Sequence, residues 1–260
     1  MITTWPAMGT TLVLQTSGAP TELDVAEEAK SLVERMEGVF SRFRTDSELN
    51  RFAQGETALI SSELACVLAA AENARIATSG AFDVRATGHL DLGGIAKGYV
   101  SDAVRDLCRA AGVQGACVSA GSSSVATYGT HADGSPWRVA LRAPGSERHS
   151  AVGILKLPTG WSLSVSGFDE QTGHIRDPRS GAVASSDTVQ AAVATDSGMN
   201  AEVWSTALLV LGTAGMELLL TQHPDAQVVL ITAQRIIATP GWFQPLTTSE
   251  SLAAKVPNKQ

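Results

Sequence analysis

The chain has 260 residues, with 19 Lys plus Arg against 26 Asp plus Glu and a formal net charge of −7. Hydrophobic residues make up 44% and charged residues 17%, which excludes disorder as the general state and leaves material for a large core in one or two domains. No basic run interrupts the acidic balance, so a binder of nucleic-acid phosphates is not expected, and no run approaches the ~18 apolar residues of a membrane span.

The start, Met1-Ile-Thr-Thr-Trp-Pro6, lacks a basic region followed by an apolar stretch. No secretory signal or lipoprotein anchor is expected, and a cytoplasmic location follows by default. Cys66, Cys108 and Cys117 are widely spaced and form no CxxC pair, so they read as buried thiols rather than a zinc site or a disulfide framework.

In chain order, Leu12 and Leu14 alternate with polar neighbours and predict a strand over Thr10–Thr16. Thr21 and Asp24 form a box-like cap, after which Val25, Ala29, Leu32, Val33, Met36 and Phe40 recur at helical spacing. Ser61 and Ser62 open a second helix with Leu64, Val67, Leu68, Ala71 and Ala74, ending near Gly80. A third is predicted from about Ile95 to Ala111, stopped by Gly112.

Short β-like runs then follow at Ala116–Ala120, Trp137–Leu141, Val152–Leu157, Leu163–Ser166 and Thr188–Ala194. Helices at Ala201–Leu211 and Ala214–Gln222 and a strand at Gln227–Thr232 close the pattern. Helices and strands mix without βαβ alternation, which predicts an α+β fold with largely antiparallel sheets. No internal repeat is visible. Residues 1–246 read as one domain and 247–260 as a polar tail.

The densest chemical signal is Asp91-Leu-Gly-Gly-Ile-Ala-Lys-Gly-Tyr99. Two adjacent glycines precede a helix and Lys97 lies in its first turn. Backbone N–H groups at such a start can hold an anion, with the lysine adding charge. It is neither a GxGxxG dinucleotide pattern nor a Walker loop. A plain glycine turn followed by a solvated lysine accounts for the pattern equally well.

Asp91–Tyr99 closely resembles the signature of the ApbE family of FAD:protein FMN transferases. Ala7-Met-Gly-Thr10 is similar to the family's Met-Gly-Thr motif. Phe40-Ser-Arg-Phe-Arg-Thr-Asp-Ser-Glu-Leu49 is similar to its Phe-Ser-x-Tyr/Phe-x-x-x-Ser-Glu segment, and Ser79-Gly-Ala-Phe-Asp83 to its Gly-x-Phe-Asp. Ser166-Gly167 and Gly173-His-Ile-Arg-Asp-Pro-Arg-Ser-Gly181 resemble its Ser-Gly and His-Ile-x-Asp-Pro-x-Thr-Gly pair. Ala201-Glu-Val-Trp-Ser-Thr-Ala-Leu-Leu-Val-Leu-Gly212 resembles its closing helix.

The resemblance implies a Mg²⁺-dependent reaction in which FAD is cleaved, FMN is joined by a phosphoester to a threonine of an acceptor protein, and AMP leaves. It implies that Met8, Phe43, Ala81, Phe82, Asp83, Asp91, Lys97 and Ile175 line the FAD site. It implies that Gly94 (through its carbonyl), Glu202 and Thr206 hold the metal, and that His174 and Thr206 carry functional weight. Glu202 and Thr206 are four residues apart and share a helix face. Histidine titrates near neutral pH and suits proton transfer.

Four features depart from the family. Only seven residues separate Asp83 from Asp91, where the family usually has a long insertion. Glu202 stands where Asp is usual, and Asp196 is a candidate to compensate. Ala53 stands where asparagine is common. Ala120-Gly-Ser-Ser-Ser124 replaces a Gly-Gly-Asp segment. Three readings remain open at this level: a transferase, a flavin binder or FAD pyrophosphatase without transfer to protein, and a structural α+β protein with glycine turns.

Overall fold

The computed structural model describes residues 1–18, 22–145, 150–167 and 175–246. The chain opens with a hairpin of β1 (Ile2–Ala7) and β2 (Thr10–Ser17), paired from Ile2↔Gln15 to Ala7↔Thr10. Only Met8 and Gly9 join them, with φ of 52° and 69°. Two left-handed residues let a two-residue turn follow the twist of its strands. Gly9 adopts that conformation freely, Met8 against steric resistance. The Met8 N–H donates to the Glu37 carboxylate on the next helix.

That helix, α1 (Glu22–Phe40), buries Val25, Ala29, Val33, Met36 and Phe40 as their spacing requires. Its proposed cap at Thr21 lies outside the described residues. Ser47 caps α2 (Glu48–Ala53) by accepting the Asn50 N–H at 3.1 Å. Ser61 caps α3 (Ser62–Ala77) by accepting the Leu64 N–H at 3.2 Å. The third predicted helix is α4 (Ala96–Ala110).

The remaining elements are β3 (Gly115–Ala120), β4 (Ser124–Gly129), β5 (Arg138–Arg142), β6 (Ala151–Lys156), β7 (Ser162–Gly167), β8 (Thr188–Thr195), α5 (Gly198–Leu211), α6 (Gly215–Gln222), β9 (Gln227–Thr232), β10 (Ile236–Ala238) and β11 (Phe243–Pro245). Every predicted element is present. The sequence pattern did not single out β1, α2, β4, β10 or β11, which are short or interrupted by polar residues and Pro6.

All strand pairs in both sheets are antiparallel. The large sheet runs β1-β2-β3-β4-β7-β8-β9-β10 and the small one β11-β6-β5. Alternation divides the large sheet's side chains between two cores. Ala191, Val193, Val228 and Leu230 join the helices. Ala192, Ala194, Val229 and Ile231 join Leu141, Leu155 and Trp242 beside the small sheet. Burial on both faces explains why β8 and β9 read as nearly unbroken apolar runs. The result is an α+β protein in three layers: helices, large sheet, small sheet.

Helices α4 and α5 pack backbone to backbone. A Cβ on Gly98 would lie 2.2 Å from the Gly198 carbonyl oxygen, and a Cβ on Gly198 would lie 2.5 Å from that of Gly98. Asp102 reinforces the crossing. It accepts the Gly198 N–H at 2.7 Å and the Ser162 hydroxyl at 2.5 Å, and pairs with the buried Arg105 at 2.8 Å. This crossing holds the glycines preceding α4 beside the polar face of α5.

Candidate active site

A cleft of about 190 Å³ opens where four segments meet. The turn after α3 supplies Ala81 to Val84 with Ala86 and Thr87, and the approach to α4 supplies Asp91 and Gly94. The loop after β7 supplies Ile175, Arg176 and Pro178, and α5 supplies Thr206. Among the sequence-predicted residues, Ala81, Phe82, Asp83, Asp91, Gly94, Ile175 and Thr206 therefore converge.

The floor is apolar. Ala81 and Phe82 are buried, and Thr78 Oγ1 accepts the Phe82 N–H at 3.0 Å. The Phe82 ring lies against Gly94, where a Cβ would come within 3.2 Å of it. Glycine at 94 thus lets the ring and the backbone entering α4 share one wall.

The short segment between Asp83 and Asp91 is turned back on itself. Asp83 Oδ1 accepts the Arg85 N–H at 2.7 Å, and the Asp91 N–H donates to the Val84 carbonyl at 2.8 Å. One Asp91 oxygen accepts the Gly93 N–H at 2.9 Å, and the other pairs with Arg42 Nε at 2.9 Å. Arg42 also lies 4.1 Å over the Phe43 ring. Phe43 itself is 77% exposed and does not line the cleft. That exposure excludes a place for the Phe43 ring in the core.

Thr206 is half-buried and stands beside a chain of hydroxyls. Ser166 Oγ lies 3.3 Å from Thr206 Oγ1 and 2.9 Å from Ser205 Oγ, which donates to Ser164 Oγ at 2.9 Å. Glu202, one turn earlier, is 3% exposed and accepts a hydrogen bond from the buried Ser124. It does not itself line the cleft. The sequence pattern did not single out Ser124 as functional, although it ends the Ala120–Ser124 segment that departs from the family.

Met8 is half-buried against the helix-side core, and Lys97 is half-buried in the first turn of α4; neither lines the cleft. His174 lies outside the described residues. Asp196 is exposed and does not line the cleft; its carboxylate acts instead on the ring of His223. Cys66 is exposed, correcting the expectation that all three thiols are buried. Beside the cleft, Arg179 bonds to Asp177 at 2.8 and 2.7 Å and holds its carboxyl below the usual carboxylate range.

Among the described residues no three acidic, histidine or cysteine side chains cluster for a metal. The donors that the family resemblance implies are a backbone carbonyl, a hydroxyl and one carboxylate, of which Gly94 and Thr206 line the cleft and Glu202 lies behind it. Buried carboxylates require a compensating cation or strong hydrogen bonds, and Glu202 has no cationic side chain paired to it among the described residues. Hard oxygens in small number suit Mg²⁺, which fills its remaining positions with water and substrate phosphates. In the chemistry of their donor atoms the implied residues fit such an ion.

The fold and cleft place the chain in a structural class. Its backbone superimposes on the flavin transferase ApbE from Vibrio cholerae with a TM-score of 0.79 at 23% identity, covering 98% of this chain and 99% of that one. For the flavinyl transferase ApbE of Pseudomonas stutzeri the TM-score is 0.74 at 24% identity, covering 92% and 93%. The sequence model of the ApbE family matches residues 8–88 and 84–230, and the chain belongs to that family.

Among curated relatives, the FAD:protein FMN transferase of Klebsiella pneumoniae (strain 342) is 33% identical over 156 residues, 57% of this chain. The match spans about half of that protein's length, 47%. The FAD:protein FMN transferase of Vibrio cholerae is 27% identical over 269 residues, covering 80% of each chain.

Proposed function

We propose that this protein is an FAD:protein FMN transferase. It cleaves the FAD pyrophosphate, joins FMN by a phosphoester to a threonine hydroxyl of an acceptor protein, and releases AMP. The observation that carries this reading is the convergence of family-matched segments on one cleft: Ala81–Asp83, Asp91, Gly94, Ile175 and Thr206.

Phe82 and Ile175 offer apolar surface to a flat ring. Asp91, held on both oxygens, is an oriented acceptor for a ring N–H or a ribitol hydroxyl. The N-terminal end of α4 favours developing phosphate charge through the helix dipole. The Gly94 carbonyl, Glu202 and Thr206 would hold Mg²⁺. A bound divalent ion supplies charge neutralisation of the pyrophosphate and of the departing phosphate. Ser166 orients the Thr206 hydroxyl, and Ser124 orients the Glu202 carboxylate. His174, from the family resemblance, is assigned the proton of the attacking threonine, which must leave as the phosphoester forms.

The test is incubation of the purified protein with FAD, Mg²⁺ and a threonine-bearing acceptor peptide, read by mass spectrometry. AMP together with a peptide heavier by FMN is expected. Absence of both overturns the reading. AMP with free FMN would show a pyrophosphatase instead, an outcome that the non-lining position of Glu202 makes worth measuring. Glu202→Gln is expected to abolish dependence on Mg²⁺.

A further inference from the structure

We infer that Arg176 is the anion-binding side chain of the cleft and takes the phosphates of the FAD pyrophosphate, an inference that rests on the transferase reading above. Among the described residues Arg176 is the one cationic side chain lining the cleft, which also holds the carboxylates of Asp83 and Asp91. Asp91 is already paired with Arg42, so a pyrophosphate entering without Arg176 would face the carboxylate of Asp83 and, among the described lining side chains, no cation. Its position is also one that the His-Ile-x-Asp-Pro signature leaves open, so the family motif does not prescribe it.

The loop holds Arg176 in place. Arg176 bridges to Val183, the Asp177 N–H donates to the Ala182 carbonyl at 2.9 Å, and the Ala184 N–H donates to that of Ile175 at 2.9 Å. The two arginines of the loop have different partners. Arg179 is engaged twice by the Asp177 carboxylate. Arg176 donates from Nη1 to the Gly181 carbonyl at 2.9 Å and meets no carboxylate among the described residues. A guanidinium has more N–H donors than one carbonyl can take, and its planar fork matches two phosphate oxygens at once. Arg176 is thus anchored at one edge with donors left for a ligand.

The test compares two ligands that share the flavin ring, of which only FAD carries the pyrophosphate and its adenosine. Equilibrium titrations of FAD and riboflavin are made on the wild type, Arg176→Gln and Arg176→Lys. For Arg176→Gln, FAD affinity is expected to fall on the order of 10- to 100-fold, the usual weight of charge-assisted hydrogen bonds, with riboflavin affinity unchanged. Arg176→Lys should recover part of the loss. Unchanged FAD binding in Arg176→Gln overturns the inference, and so does an equal loss of FAD and riboflavin, which would point to the ring or to the loop's structure. A wild type that binds neither ligand overturns the transferase reading and this inference with it.

Discussion

Glu202 and Ser124 form a buried polar pair between α5 and β4, and each depends on the other for a partner. Removing the hydroxyl leaves a buried carboxylate oxygen short of a donor. Ser124→Ala is therefore expected to lower stability by about 1–3 kcal/mol, measured by urea unfolding, with the midpoint moving and the slope unchanged. The cysteines give a second test at this scale. Burial pushes the Cys108 thiol up to about 11 and the Cys117 thiol up to about 12, while Cys66 is exposed. Thiolate is the reactive form, so a disulfide reagent at pH 8 should titrate Cys66 alone in the native protein and all three thiols in denaturant. Helical spacing could have revealed the exposure of Cys66, since the buried face of α3 is Leu64, Val67, Ala71 and Ala74.

Between elements, the crossing of α4 and α5 is the contact on which the cleft depends. Gly98→Ala would put a Cβ into a backbone carbonyl, and a backbone cannot step aside as a flexible side chain can. The helices must separate, at a cost of about 1–3 kcal/mol. The same movement should separate Gly94 from Thr206, so FAD binding is expected to weaken together with thermal stability, read by titration and by melting.

At the end of α6, His223 lies edge-on to Trp204 with centroids 6.2 Å apart. Burial lowers its pKa, with Asp196 opposing. As pH falls through the ordinary imidazole range, near 6.5, the unfolded chain takes up the proton first. Stability contributed by the neutral ring is thus complete above that range, declines as pH falls, and levels off below the folded-state pKa. His223→Gln should flatten the melting temperature between pH 5 and 7 relative to the wild type. All the helices except the short α2, and most strands, were legible from period and caps. The edge strand β10 and the short β11 were not, because three residues are too few for a period to declare itself.

Over the whole molecule, one sheet serves two cores. Trp204 sits in the helix-side core and Trp242 in the core beside the small sheet. Since β8 and β9 contribute alternate residues to both, neither core can be lost without the strands that hold the other. Thermal unfolding is expected to be a single transition with coincident far-ultraviolet and tryptophan signals. Leu208→Ala should move that one transition, by about 2–5 kcal/mol, without splitting it. Two separated transitions would show that the small sheet and its core unfold independently. Across the described residues, no helix is long and apolar enough to cross a membrane.

The order of six motifs along the chain was enough to place it in its family, and the lack of βαβ alternation was enough for an antiparallel α+β fold, because both are properties of linear order and local period. Which of the motif residues meet was decided only by packing. Residues 81–94 and 175–206 are brought together by the α4–α5 crossing and by the long-range pairing of β4 with β7. That packing leaves Phe43 at the surface, sets Glu202 behind Thr206 against Ser124, and brings Arg176, at an open position of its motif, into the cleft wall. A linear pattern specifies residue types and spacing; the direction in which a side chain projects between non-local elements depends on close-packed neighbours that the pattern does not contain.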